Sequence, residues 1–326
     1  MPVSPDSSRS WRGLFRKLAL LALPFVIYAA VIVILDPFHF FEFSSTKLDA
    51  LRARAAIPLN ESIWKLAGYS HHLSSNLLLG DSRTDNLPTE QMASMLGEPV
   101  YNMAFGAATI NEMVDSFWYA DSTVQLKRVW MGVNFNQFSD YSRTYRTDAF
   151  VALKKHPLLY LINRTVAKAA AFMIYYGLTG KDPEIGKVTV SREEMWREVI
   201  GPTTDGYYRK YVDPVRFRAD LQAIANHCRA KGIQFRFVIF PLHADLRNKI
   251  HAYGLDAEYA RFKEFIASLA DTYDYDLDDE LTRNRENFSD PMHTIAPISR
   301  RIAIEISTGH VVLGVLRKAQ WPLMSK

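Results

Sequence analysis

The run Leu18–Leu35 carries no charged residue and is mostly aliphatic. At a rise of about 1.5 Å per residue it makes a helix roughly 27 Å long, close to the hydrocarbon thickness of a bilayer. Arg9, Arg12, Arg16 and Lys17 precede it, with Trp11 and Phe15 before the run and Phe38, Phe40 and Phe41 after it, at places that suit a membrane interface. The positive cluster should stay in the cytoplasm, which puts everything after Asp36 on the far side. A cleaved signal peptide would have an apolar core of about 7–15 residues and a small-x-small cleavage site. This run is longer and has no clear site, so it reads as an uncleaved single-pass anchor. No cysteine stands at its end, which excludes a lipoprotein.

The rest of the chain belongs to the globular class. With 326 residues, 48% of them hydrophobic, it is long enough for one large domain plus appendages. The net charge of +4 comes from Lys and Arg scattered among nearly as many Asp and Glu, so nucleic acid is not expected as a partner. Cys228 is the single cysteine, which excludes an intrachain disulfide and any metal site built from several thiolates. It reads as a small buried apolar side chain.

Segments of strand and helix character alternate after the anchor. Asn76–Leu79 reads as a buried strand, Leu87–Leu96 as a helix, Val100–Met103 as a short strand, Asn111–Ser122 as a helix and Arg128–Val133 as a strand. Pro214–Lys231 has apolar positions at helical spacing and is stopped by Gly232; Ile233–Phe240 follows as a β-prone strand. Ala257–Ala270 is a further helix leading to a short segment at Tyr273–Leu277. Such alternation implies an α/β fold with a mainly parallel sheet and helices on both faces, preceded by one transmembrane helix. The boundaries expected are a basic tail at 1–17, the anchor at 18–35, a connector at 36–75 with a short charged helix over Ser44–Ala56, and the α/β domain at 76–326. The region 140–213 breaks the rhythm and reads as a mainly helical insertion that packs on the core, caps the site, or meets the membrane or a partner. Arg164 and Lys168 interrupt its apolar stretch Leu158–Leu178 and argue against a second span.

Ligand sites in open α/β sheets form beyond the carboxyl ends of the strands. Ser82, in Gly80-Asp81-Ser82, lies just past such an end, as do Asn102–Gly106 and Gly132-Val133-Asn134. Serine becomes a useful nucleophile when an imidazole takes its proton and a carboxylate orients that imidazole. Asp290-Pro291-Met292-His293 can present both groups from one turn. Gly106 offers a backbone N–H and Asn134 a side-chain N–H to an oxyanion.

These four blocks, in this order over residues 76–305, resemble the SGNH (GDSL-type) hydrolase superfamily, which has a flavodoxin-like three-layer sandwich. The resemblance implies Ser82 as nucleophile, His293 as base, Asp290 as its orienting acid, and the Ser82 and Gly106 amides with the Asn134 side chain as oxyanion donors. Two positions depart from the usual pattern: Phe135 replaces an acid after Asn134, with Asn136 as another amide donor, and Ala104 stands where a glycine is common. The anchor, the insertion and the ending Asn287–His293 look like the membrane-anchored branch linked to alginate O-acetylation and lipoteichoic-acid D-alanylation. That likeness implies a bacterial inner-membrane protein facing the periplasm or cell exterior. It also implies a cell-envelope polysaccharide or acyl-sugar substrate and a multi-spanning membrane O-acyltransferase as partner. The expected function is an O-acyl (acetyl) transferase or esterase; the alternative is a non-catalytic scaffold of the same fold.

Other residues read as structural. Arg83 can bind an anionic group but more simply pairs with a nearby carboxylate, and His243 can line the cleft but more simply sits satisfied in its loop. His71 and His72 read as surface residues. The acidic run Asp274–Glu280 lacks the EF-hand glycine, and its twelfth position is Arg285. No HExxH, P-loop or GxGxxG occurs, so neither a metal nor a cofactor is expected.

Overall fold

The computed structural model describes residues 7–41, 45–142, 144–181 and 190–319. Parts of the expected basic tail (1–6), of the connector and its charged helix (42–44) and of the insertion (143 and 182–189) therefore lie outside the described residues. The chain divides into two compact units, Met1–Gly68 with Val151–Ile185, and Tyr69–Phe150 with Gly186–Lys326. Half of the stretch read as an insertion thus groups with the N-terminal segment.

In the first unit the apolar run lies inside one helix, Ser7–Leu35, which carries Pro24. Its portion Gly13–Leu35 is long and apolar enough to cross a membrane by length and composition, and nearly all of it is exposed. The helix ends at Asp36, which adopts a left-handed φ of 41° that Asp tolerates better than most residues. The buried Asp36 carboxylate accepts the amides of Phe40 (2.9 Å) and Phe41 (3.0 Å). Buried Arg52 donates to the Leu35 carbonyl (2.9 Å), one of the last carbonyls of the helix, from the helix Asp49–Ala56. A helix at Glu61–Tyr69, which the sequence reading left within the connector, follows. The apolar stretch from Leu158 breaks at Asn163, whose side chain accepts from the Thr165 and Val166 amides (2.9 and 3.2 Å) and so starts a new helix. The result is two helices, Leu158–Ile162 and Arg164–Thr179, the second ending at Gly180 with φ 67°. Val166, Ala169, Ala170 and Met173 form its buried face.

The second unit is built on a six-stranded sheet of order β2-β1-β3-β4-β5-β8. The strands are β1 (Asn76–Leu79), β2 (Tyr101–Asn102), β3 (Arg128–Gly132), β4 (Gln234–Ile239), β5 (Thr272–Asp274) and β8 (Val315–Arg317). All pairings are parallel except β5 with β8, an antiparallel edge that the sequence did not announce. β6 (Phe288–Asp290) and β7 (His293–Thr294) form a separate antiparallel pair. The sheet is covered on both faces. Leu78, Trp130, Val238 and Tyr273 pack on one face with Met92 of the helix Thr89–Leu96 and with Ile302, Ala303 and Ile306 of the helix Ala296–Thr308. Their strand neighbours Leu77, Leu79, Val129, Met131 and Phe237 are also buried and face the other way, as the two-residue period requires. There the helices Ile110–Thr123 and Val215–Lys231 close the second layer. Cys228 is buried in that layer, and desolvation pushes its thiol up to about 12.

The chain leaves β1 on one side for β2 and reaches β3 on the other, so the carboxyl ends of β1 and β3 form a switch point. Backbones approach closely there. A Cβ on Gly80 would sit 2.0 Å from Thr84 Oγ1, and one on Gly132 would sit 2.0 Å from the same atom and 2.7 Å from Phe240 Cε2. Gly132→Ala should therefore destabilise the fold by about 1–3 kcal/mol through overpacking. Thermal unfolding of the full chain in detergent should show a melting temperature lower by several degrees; an unchanged value would disprove the close packing.

Candidate active site

β1 ends at Leu79, and after Gly80 and Asp81 a short helix, Ser82–Asp85, begins on the serine itself. Asp81 is extended and caps that helix, accepting the Arg83 amide at 3.0 Å. Asn102, at the end of β2, donates to the Thr84 and Asp85 carbonyls (3.2 and 3.1 Å) and holds the turn from the other side. Ser82 is left partly exposed at the carboxyl edge of the sheet. As the first residue of the helix, its amide has no intrahelical acceptor.

His293 and Asp290 come from the β6–β7 hairpin. Asp290 Oδ1 accepts the amides of Met292 (2.8 Å) and His293 (3.2 Å), which folds the four residues into a tight turn. Oδ2 is thereby aimed at the ring and accepts from His293 Nδ1 at 2.7 Å. With Nδ1 as donor, Nε2 is the acceptor, and Ser82 Oγ lies 2.6 Å from it. Burial alone would raise the Asp290 pKa. The hydrogen bond and charge of His293 and the two backbone amides outweigh burial and hold Asp290 below the usual carboxylate value.

The two expected oxyanion residues lie on the neighbouring loops, after β2 and β3. Gly106 sits in the turn after β2, where its carbonyl and that of Ala107 accept from Arg146 (2.9 Å each). Arg146 in turn pairs with fully buried Glu112, through Nε (3.0 Å) and Nη2 (2.9 Å). Burial pushes Glu112 up, yet these bonds with those of Thr144 and the Thr109 amide bring it below its ordinary value. Asn134 follows β3 and is buried, with one Nδ2 hydrogen committed to the Phe240 carbonyl at 2.8 Å. It thus braces the end of β3 against the end of β4, and only its second N–H remains for an oxyanion.

Several supporting residues escaped the sequence reading. Arg192 donates to the Arg285 and Phe288 carbonyls (2.7 and 2.9 Å), and Trp196 donates to Asp245 (3.0 Å) while its ring lies under Arg285. These side chains, from the far half of the insertion, brace the hairpin. They pair with partners about 50–100 residues away, so no local pattern marks them. His243 joins them: its amide donates to the Pro291 carbonyl (3.0 Å), and its buried ring packs edge-on against Trp196 and Phe288. Desolvation holds its pKa low.

Arg83 adopts the structural role. It is buried beside Ser82, bonded to Asp81 through Nε (3.1 Å) and Nη2 (2.5 Å) and to Asn136 Oδ1 (3.1 and 3.2 Å). The acidic run is likewise spent internally, Asp274 on Lys263 (3.1 Å) and Arg317 (2.8 Å), and Asp276 on Arg247 (3.2 Å) and Tyr259 (2.5 Å). A cleft of about 390 Å³ opens beside Asp81, lined by Ala107, Thr109, Asn136, Tyr141 and Tyr207 among others. Two other hollows, about 320 and 500 Å³, lie at the opposite ends of the strands around Cys228 and Asp121, far from any nucleophile paired with a base.

No family model and no curated protein matches the chain. Solved structures similar to it include a protein assigned to the G-D-S-L lipolytic family from Desulfitobacterium hafniense DCB-2, with 12% identity, 72% of this chain and 98% of that one covered, and a TM-score of 0.34. A protein assigned as a platelet activating factor from Streptococcus pneumonia has 10% identity, coverages of 82% and 98%, and a TM-score of 0.38. The acetyl xylan esterase AlAXEase has 11% identity, coverages of 72% and 100%, and a TM-score of 0.29. At such values the likeness fixes neither substrate nor chemistry, which belong to the side chains of this site.

The Asp290 pairing makes stability depend on pH. Its folded pKa is depressed, so the contribution is fully present above the unfolded value of about 3.9 and is lost as pH falls through the lower folded value. Asp290→Asn should cost about 2 kcal/mol at pH 7. That deficit should shrink progressively as the pH drops below about 4. Denaturant titrations of both proteins at several pH values check this; a deficit independent of pH would refute the ionic pairing.

Proposed function

We propose that the chain is a membrane-anchored serine acyl-ester enzyme of the SGNH type, an O-acyl transferase or esterase. The observation that supports it is the continuous relay from Ser82 Oγ through His293 to Asp290, with contacts of 2.6 and 2.7 Å. In this reading His293 Nε2 takes the hydroxyl proton as Ser82 Oγ attacks an acyl carbonyl, and Asp290 stabilises the imidazolium. The Ser82 and Gly106 amides and the free N–H of Asn134 hold the oxyanion. Collapse breaks the bond to the leaving oxygen, which receives the proton from His293, and leaves an acyl-Ser82 ester. Water or a sugar hydroxyl then attacks that ester, with His293 again accepting and returning a proton.

The anchor directs this chemistry to the outer side of a bacterial cytoplasmic membrane, where a cell-envelope polysaccharide is the substrate or acceptor and acetyl the group transferred. The cleft beside Asp81 suits such a hydroxyl-rich molecule, since Thr109, Asn136, Gln137 and Ser142 offer polar groups beside Tyr141 and Tyr207. A multi-spanning O-acyltransferase that delivers the acyl group completes the reading. The test is turnover of a chromogenic acetyl ester by the full chain in detergent, against Ser82→Ala. The variant should lose activity by about a thousandfold or more. Equal turnover by the two proteins would sink Ser82 as nucleophile.

A further inference from the structure

Within the first unit a set of large apolar side chains on the helices Leu158–Ile162 and Arg164–Thr179 is exposed. Leu158, Ile162 and Leu178 are 77%, 72% and 82% exposed, and Leu159, Ile174 and Tyr175 are exposed as well. So many exposed apolar groups on two short helices mark a surface that is covered by something. The hydrogen bonds of the unit indicate what covers it. Tyr160 lies in the middle of the first of these helices and is itself fully buried. Its hydroxyl donates to Asp36 Oδ1 at 2.7 Å and accepts the Phe38 amide at 3.0 Å. Its ring stacks on Phe40, with centroids 4.6 Å apart, and meets Phe41 edge-on. Asp36 and Phe38 are the first residues beyond the apolar helix, so Tyr160 is tied to the level at which that helix leaves the bilayer. Leu158, Leu159 and Ile162 stand within two residues of Tyr160, roughly 3 Å along a helix axis. They cannot lie far from the same level.

We propose that the helices Leu158–Ile162 and Arg164–Thr179 form a monotopic platform whose exposed apolar side chains enter the membrane interface beside the anchor. The inference rests on reading Ser7–Leu35 as that anchor. The charges around the patch fit a lipid surface: Lys155, Arg164 and Lys168 are exposed at its edge, and Lys154 lies over the Phe40 ring at 5.3 Å. Cationic groups beside an apolar face are drawn to anionic headgroups while their stems lie along the acyl boundary. Tyr175, exposed like them, adds an aromatic group of the kind enriched at membrane interfaces. The platform holds the unit at a fixed depth and restrains rotation about the single spanning helix.

The experiment uses the full chain with Cys228→Ala and single cysteines at Leu158, Ile162 or Leu178, each carrying an environment-sensitive fluorophore. A fourth probe at Leu21 reports on the anchor. Because all four side chains are exposed, the substitutions leave the packing of the unit intact. The proteins are reconstituted into phosphatidylcholine–phosphatidylglycerol vesicles. The Leu21 probe should be quenched by a spin label deep in the acyl chains. The other three should be quenched several-fold by a label near the headgroups and be protected from aqueous iodide. Quenching of those three by iodide alone, with Leu21 still quenched by lipid, overturns the platform and leaves the anchor standing. Lipid quenching at none of the four overturns both.

Discussion

Thr84 stands between two glycines, and the geometry of the second unit depends on that contact. Gly80 leaves β1 and Gly132 ends β3, and both backbones come so close to Thr84 that neither position has room for a Cβ. The chain must therefore turn sharply out of the sheet directly after β1. That turn places Ser82 at the first position of a helix, above the carboxyl edge and partly in solvent. A bulkier residue at either glycine would push the helix away from the sheet and take Ser82 with it. The same edge is where the sheet changes direction, so the loops after β1, β2 and β3 can all approach one point.

Charge within this region is handled by local pairing. Asp290 divides its two oxygens, one for the backbone of its own turn and one for the imidazole. Glu112, fully buried, is ionised because Arg146 meets both its oxygens, and the remaining donors of Arg146 fix the Gly106–Ala107 turn. Asp81 and Arg83 form a third pair beside Ser82, tied to Asn136. A buried ion pair contributes little net stability, but loss of one partner leaves an uncompensated charge and is costly. These pairs thus hold loop geometry more than they add to folding energy.

The regular part of this architecture was legible in the chain. β1 runs over the residues its apolar pattern marks, and the helices before β4 and β5 begin and end within a residue or two of their periodic positions. Ser82, Asp290 and His293 stand in short motifs that can be read from the chain, and contacts of 2.6 and 2.7 Å bring those motifs together. Gly106 and Asn134 lie on the loops after β2 and β3, and their bonds to Arg146 and Phe240 involve partners far along the chain. Arg146, Arg192 and Trp196 left no local signature for the same reason. β8 is a three-residue edge strand whose side chains are mostly exposed, so it shows neither a buried apolar run nor a clear alternation. The division of the insertion between the two units was equally hidden: Tyr160 finds its partner at Asp36, 124 residues earlier.

The relay joins one local contact to one distant contact, and they fail differently. Asp290 and His293 are three residues apart in a turn that hydrogen-bonds to itself, so their pairing needs little from the rest of the fold. Ser82 and His293 are 211 residues apart and meet only if β1 and the hairpin are both in place. A loosened hairpin would keep Asp290 and His293 together yet lose the contact with Ser82. The bracing residues gather at the hairpin and the turn leading into it: Arg192 on the Arg285 and Phe288 carbonyls, the His243 amide on the Pro291 carbonyl, and Trp196 against the His243 ring. An ångström of drift there would break the hydrogen bond between Ser82 and His293, because hydrogen bonds weaken steeply with distance and angle.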